Sequence, residues 1–134
     1  MAIQYSVSLR NNQLDQVEST IGTSAKLQLR TGGVPANCAA ANTGSLLIEI
    51  ACPSDYMAAA SAGAKALAGS WSGAATGAGT AAHFRMFDST STTCGVQGTV
   101  TATGGGGDMT LDNVSIAVGQ VVTITSFGLT AGNA

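Results

Sequence analysis

Residues 80–103, "TAAHFRMFDSTSTTCGVQGTVTAT", contain the sole histidine, two phenylalanines and one of the three cysteines in the chain. "TAAHFRMFD" (80–88) reads as a strand, the Ser/Thr run 89–93 as a turn, and "CGVQGTVTAT" (94–103) as the returning strand. Side chains alternate across a strand, so Phe84 and Met86 share one face and His83, Arg85 and Phe87 share the other. The first pair is expected in the core. The second set is expected to face solvent or a partner. In the returning strand Val96, Val100 and Ala102 alternate with Gln97, Thr99, Thr101 and Thr103.

The same two-residue period recurs on either side. In "KLQLR" (26–30) Leu27 and Leu29 face one way, and Lys26, Gln28 and Arg30 the other. "SLLIEIACP" (45–53) points Leu46, Ile48 and Ile50 inward and ends at Pro53. "VSIAVG" (114–119) leads into "QVVTITSFGL" (120–129), the strongest strand signal. Residues 54–80 are ambiguous: 56–67 suits an Ala-rich helix, but Gly63, Gly69 and Gly73 favour a strand over 64–73. The one helical period lies in "SLRNNQLDQVESTIG" (8–22), where Leu14, Val17 and Ile21 form a stripe, Ser8 is the expected N-cap and Gly22 the C-terminal stop. Many short strands separated by turn signals predict an all-β fold, a sandwich or jelly roll of antiparallel strands. One N-terminal amphipathic helix covers it, and the 134 residues form a single domain.

Charged residues are only 9% of the chain and the net charge is −2, so no basic patch marks it for nucleic acid. Such a surface does little to keep copies apart, and self-association follows as the expectation. The Ala-rich run 57–82 is interrupted by Lys65, Gly and Ser, which argues against a membrane span. The opening "MAIQYSVS" has no basic region followed by an apolar run, so no secretory signal is expected and synthesis is assigned to the cytoplasm.

Chemical motifs are sparse. Cys38, Cys52 and Cys94 lack any Cys-x-x-Cys spacing, so buried thiols are favoured over a zinc site with His83; a disulfide within or between subunits is the other reading. "GAGTAA" (77–82) fits a dinucleotide-binding pattern but lacks the strand before it and the helix after it. The "GGGGD" loop (104–108) has no phosphate-binding Lys, and Asp108, Asp112 and Asn113 lack calcium-loop spacing. Asn113-Val-Ser115 is a sequon that reads as a turn. Cys94, His83 and Asp88 supply nominal parts of a nucleophilic triad without a nucleophile turn or oxyanion hole. Arg85 and Asp88 are expected instead to pair locally or with a neighbour. No cofactor, metal or catalytic residue is expected.

Three segments carry a resemblance. Residues 1–15 resemble "MAI-x-YS-x-x-LRN-x-x-LD", residues 75–89 resemble "ATGTA-x-x-FR-x-x-DS", and residues 108–134 resemble "DM-x-LDN-x-SI-x-x-GQ-x-V-x-I-x-SF-x-x-T-x-GNA". Together they are similar to a family of small Ala/Gly/Thr-rich proteins from the structural modules of tailed bacteriophages. Residues 54–74 and the three cysteines fall outside that pattern.

The resemblance implies a non-enzymatic virion protein. The expected role is capsid decoration, or cement, on the outer shell: a dimer or trimer bridging subunits of the major capsid protein. A tail, collar or fibre component is the alternative placement. Ala2, Ile3, Gln4 and Tyr5 at one end, Asn133 and Ala134 at the other, and His83, Arg85 and Phe87 are the candidate contact residues. A carbohydrate-binding module for the host surface is a reading of a different class; it would need Trp71, Tyr5 and Tyr56 as exposed stacking platforms.

Overall fold

The computed structural model of the chain describes residues 3–132, a largely β structure with one N-terminal helix. Helix α1 (Val7–Ile21) precedes β1 (Lys26–Arg30), β2 (Leu46–Ala51), β3 (Ala64–Ala66), β4 (Trp71–Ala74) and β5 (Gly79–Thr80). Then come β6 (His83–Phe87), β7 (Cys94–Ala102), β8 (Met109–Leu111), β9 (Ser115–Ile116), β10 (Val121–Ile124) and β11 (Gly128–Thr130). The expected contacts Ala2, Asn133 and Ala134 lie outside the described residues.

The main sheet has five strands in the order β2-β1-β6-β7-β8, curled into a half-barrel. Its first four strands are antiparallel, while β8 runs parallel to β7. The glycine run 104–107 makes that return compact: Gly107 N donates to Thr101 Oγ1 at 3.0 Å, and Asp108 Oδ2 accepts from Thr99 N at 2.9 Å. The loop is folded back on its own strand.

Apolar residues line up across the inner face of this sheet. Ile50, Leu27, Met86 and Val96 form one row in register; Ile48, Leu29, Phe84 and Gly98 form the next. The ribbon of β4 with β10 contributes Trp71, Val122 and Ile124 to the same core, and Phe127, just before β11 of a second ribbon with β3, joins them. Phe127 meets Phe84 edge-on at 5.4 Å and Trp71 at 5.8 Å between ring centroids, favourable aromatic geometries. Phe127 explains why the strand expected over 120–129 is two strands: the chain turns between β10 and β11 to bring this ring inward. The strand expected over 64–73 is likewise split, at Gly69, whose φ of 70° stops extension.

The helix begins two residues earlier than its expected cap. Ser6, not Ser8, accepts from Leu9 N at 3.2 Å, and Gly22 N–H closes the C-terminus on Glu18 O at 2.8 Å. An N-cap is extended, and Ser6 has ψ 156°, whereas Ser8 is already helical. The apolar stripe packs through Leu14, Ile21 and the partly buried Val17. Gly95 leaves the room that this requires: a Cβ there would stand 2.5 Å from Ile21 Cγ1. Lys65 of β3 adds a polar bolt. Its ammonium is 2.8 Å from Asp15 Oδ1 and 2.9 Å from Glu18 Oε1, and it donates to Ala58 O at 2.9 Å. Burial disfavours the charged Lys65, but its two carboxylate partners outweigh that and raise its pKa.

Candidate functional site

The outer face of the main sheet carries a cross-strand row of polar side chains. Glu49 of β2, Gln28 of β1, Arg85 of β6 and Gln97 of β7 stand in one row, each in register with the next. Gln28 Nε2 donates to Glu49 Oε2 at 2.8 Å and Arg30 Nη1 to Gln28 Oε1 at 2.7 Å. Arg85 Nε donates to Gln97 Oε1 at 3.1 Å. Cross-strand neighbours on one face are close enough for such a ladder, provided the residues alternate in phase on every strand.

Within the row Gln28 and Arg85 are buried, Gln97 is half-buried and Glu49 is exposed; residues 31–45, between β1 and β2, fold across its Arg85–Gln97 side. Backbone carbonyls in an irregular segment need donors, and the sheet supplies them. Arg85 Nη2 donates to Cys38 O at 2.8 Å and Nη1 to Asn42 Oδ1 at 2.6 Å. Gln97 Nε2 donates to Pro35 O at 2.8 Å, and Arg30 Nε to Thr43 O at 3.1 Å. His83 Nδ1 lies 2.8 Å from Gly32 O.

This overturns the expectation that His83, Arg85 and Phe87 face solvent or a partner. Their exposures are 0%, 2% and 4%. Alternation places them correctly on the face opposite Phe84 and Met86, but that face is covered by the chain itself. Nor does Arg85 pair with Asp88. Its guanidinium is spent on Gln97, Asn42 and Cys38 O and lies 5.4 Å over the Phe87 ring. The Asp88 carboxylate instead accepts from Thr92 N at 2.9 Å and Thr90 Oγ1 at 3.0 Å, bonds that close the 89–93 turn and lower its pKa.

The nominal triad is therefore dispersed. His83 is opposite Thr99 while Cys94 is opposite Phe87, at the far end of the same pair of strands. Burial lowers the His83 pKa and keeps the ring neutral, with the neighbouring Arg30 and Arg85 acting in the same direction. Its Nε2 is buried without a partner. Among the described residues no group of three His, Cys, Asp or Glu side chains is placed to hold a metal. Gly79 and Thr80 of the "GAGTAA" stretch form β5, with strand β6 following where a dinucleotide site needs a helix.

All three cysteines are free thiols. Cys52 is in the core, where burial pushes its pKa up to about 11. Cys38 and Cys94 are half-buried and share a recess of about 550 Å³ with Asn42, Arg85, Phe87 and the 91–93 turn. Burial, then the hydrogen bond with Cys38, raises the Cys94 thiol to about 11.

No family model, curated protein or solved structure matches this chain. The site must be read from its own geometry, and that geometry is of a fastening. Every donor of the Arg85 and Gln97 side chains that reaches the loop is used to hold the loop. The other candidate contacts divide cleanly: Ile3 and Gln4 are exposed and Tyr5 is half-buried. Trp71 and Tyr56, two of the three rings proposed as sugar platforms, are fully buried, and Trp71 Nε1 donates to Tyr56 O at 3.0 Å. Among the described residues no helix is long and apolar enough to cross a membrane.

Sequence reasoning missed Gln28, Asn42 and Gln97 as parts of this network. Their in-phase positions on adjacent strands were available as a signal, but only once strand order was known.

Proposed function

We propose that this chain is a non-enzymatic structural protein of a tailed-phage virion, acting as a decoration protein that clamps neighbouring capsid subunits. The observation that carries the reading is a set of exposed apolar side chains in the N-terminal segment. Ile3, Val7 and Leu9 are 74%, 52% and 45% exposed. Arg10, the next residue, donates from Nε to Ala131 O at 2.9 Å, so the N-terminal and C-terminal segments converge there. Ala131 N in turn bonds Gly63 O at 3.0 Å.

Burying Ile3, Val7 and Leu9 against a capsid subunit removes apolar surface from water, a favourable term of about 25 cal/mol per Å². One copy contributes little; many identical copies on a shell add up. The sparse charge, 9% of residues, leaves little repulsion between adjacent copies. The main sheet and its two covering ribbons supply the rigid body for such a clamp, and we read them as the two layers of a β-sandwich. Support for that reading comes from Phe84 packed on Phe127 and from Gly73 of β4 set against Ile48 and Ile50 of β2.

The test is to label the chain in assembled virions and to compare wild type with Ile3→Asp/Leu9→Asp. Both positions are exposed, so the variant is expected to fold normally and to leave the shell, with a drop in particle heat stability. Label on the tail or neck, or undiminished shell binding by the variant, would overturn the proposal. Truncation should spare Ser6, because it caps α1.

A further inference from the structure

Cys38 and Cys94 are far apart in sequence but meet at the rim of the covering segment. Cys94 opens β7, opposite Phe87 of β6. Cys38 is delivered by the segment 31–45, and its carbonyl is fixed by Arg85 Nη2 at 2.8 Å. The two residues line the same recess, and the Cys94 thiol lies 3.4 Å from Val96 O. Both side chains line the recess of about 550 Å³, which opens to solvent beside the 91–93 turn. The third thiol, Cys52, is sequestered in the core. Two half-buried thiols, one on the loop and one on the strand, thus line one open recess.

We propose that Cys38 and Cys94 are a redox pair that closes an intramolecular disulfide and locks residues 31–45 onto the sheet. The oxidant is a low-molecular-weight disulfide such as oxidised glutathione, which the recess is large enough to admit. The thiolate of one cysteine attacks a sulfur of that disulfide, forming a mixed disulfide and expelling one small thiolate, which takes up a proton. The second cysteine, after losing its own proton, attacks the protein sulfur of the mixed disulfide. The Cys38–Cys94 bond forms and the second small thiolate leaves. The protein loses two electrons and two protons, and the small disulfide becomes two thiols.

The attacking species is the thiolate, so closure speeds up as pH rises toward the thiol pKa. A reducing cytosol holds the pair open and an oxidising medium closes it. The cross-link restricts the unfolded chain across a long loop and adds a covalent fastening to the Arg85 and Gln97 bonds. None of this depends on where the protein resides.

The test exposes the purified full-length protein to oxidised glutathione at alkaline pH, quenches with acid, and then blocks the remaining thiols with iodoacetamide after unfolding in urea, so that buried Cys52 is also counted. Wild type is expected to stay monomeric on non-reducing gels, to keep a single alkylatable thiol at Cys52, and to melt about 10 °C higher than the reduced form. Cys52→Ala is expected to retain the bond. Cys38→Ser and Cys94→Ser are each expected to lose it and to stop at the mixed disulfide with glutathione. Three thiols still alkylatable after oxidation, disulfide-linked dimers, or a bond that includes Cys52 would each overturn the proposal.

Discussion

The ammonium of Lys65 stands 2.8 Å from Asp15 Oδ1, and this ion pair ties helix α1 to strand β3 across fifty residues of sequence. Glu18 adds a second carboxylate at 2.9 Å, one helical turn further on. The helix is thus held by charge as well as by its apolar stripe. Lys65→Ala is expected to destabilise the protein by on the order of 2 kcal/mol, since hydrogen bonds to charged groups are lost together with the buried stem. Asp15→Asn should cost less, because Glu18 remains. Urea denaturation of both variants reads the order; equal effects would mean that the pairing is not shared.

Gly95 is expected to tolerate no side chain while Ile21 keeps its own. The Cβ of Gly95→Ala would meet Ile21 Cγ1 at 2.5 Å and Cδ1 at 2.9 Å. Overpacking of this kind costs about 1–3 kcal/mol. In the double variant Gly95→Ala/Ile21→Ala the loss should be smaller than the sum of the single losses, and a thermodynamic cycle measures that difference. Simple additivity would show that α1 does not rest on Gly95.

Arg85→Lys preserves the charge but not the fork. The planar guanidinium reaches Gln97, Asn42 and Cys38 O at once, which a lysine tip cannot do from one position. The expected result is a folded protein whose segment 31–45 is cut faster by a nonspecific protease, with Cys38 alkylated faster. Cleavage rates matching wild type would show that the segment is held without Arg85.

Acid should weaken the fold in two steps. The neutral His83 has its pKa lowered from 6.5, so between that value and its folded pKa the unfolded chain binds the extra proton. Stability is therefore full above pH 6.5 and falls as pH drops below it. Asp15 and Asp88 are lowered from 3.8, by the bond from Lys65 and by the turn amide of Thr92 respectively, so their contributions are lost on further acidification below that range. His83→Gln should flatten the first step and leave the second. Chemical denaturation from pH 8 to 3 tests the shape; an unchanged first step in the variant would assign it to another group.

The β character, the helix and the hairpin β6–β7 are legible in the sequence because each rests on a local period. Phe84 and Met86 are core residues as their alternation predicts. The fate of the opposite face was not legible. "HFRMF" alternates polar and apolar residues as a half-exposed strand does, yet all five positions are buried. What covers them is a segment without strand or helix, and no period announces such a segment. Its length, together with long side chains such as Arg85, Gln28 and Gln97 on one face, was the available hint. Lys65 was hidden in the same way: a single cation among alanines reads as solvated until Asp15 and Glu18 arrive beside it.

A strand closed in on both faces and bonded on both edges has no direct route for water. The amides of β6 are therefore placed to exchange their hydrogens only when the whole molecule opens, whereas the two-residue strands β5 and β9 have little to hold them. Unfolding should proceed from these margins toward residues 83–87, and the slowest-exchanging peptide would mark the centre of the cooperative unit.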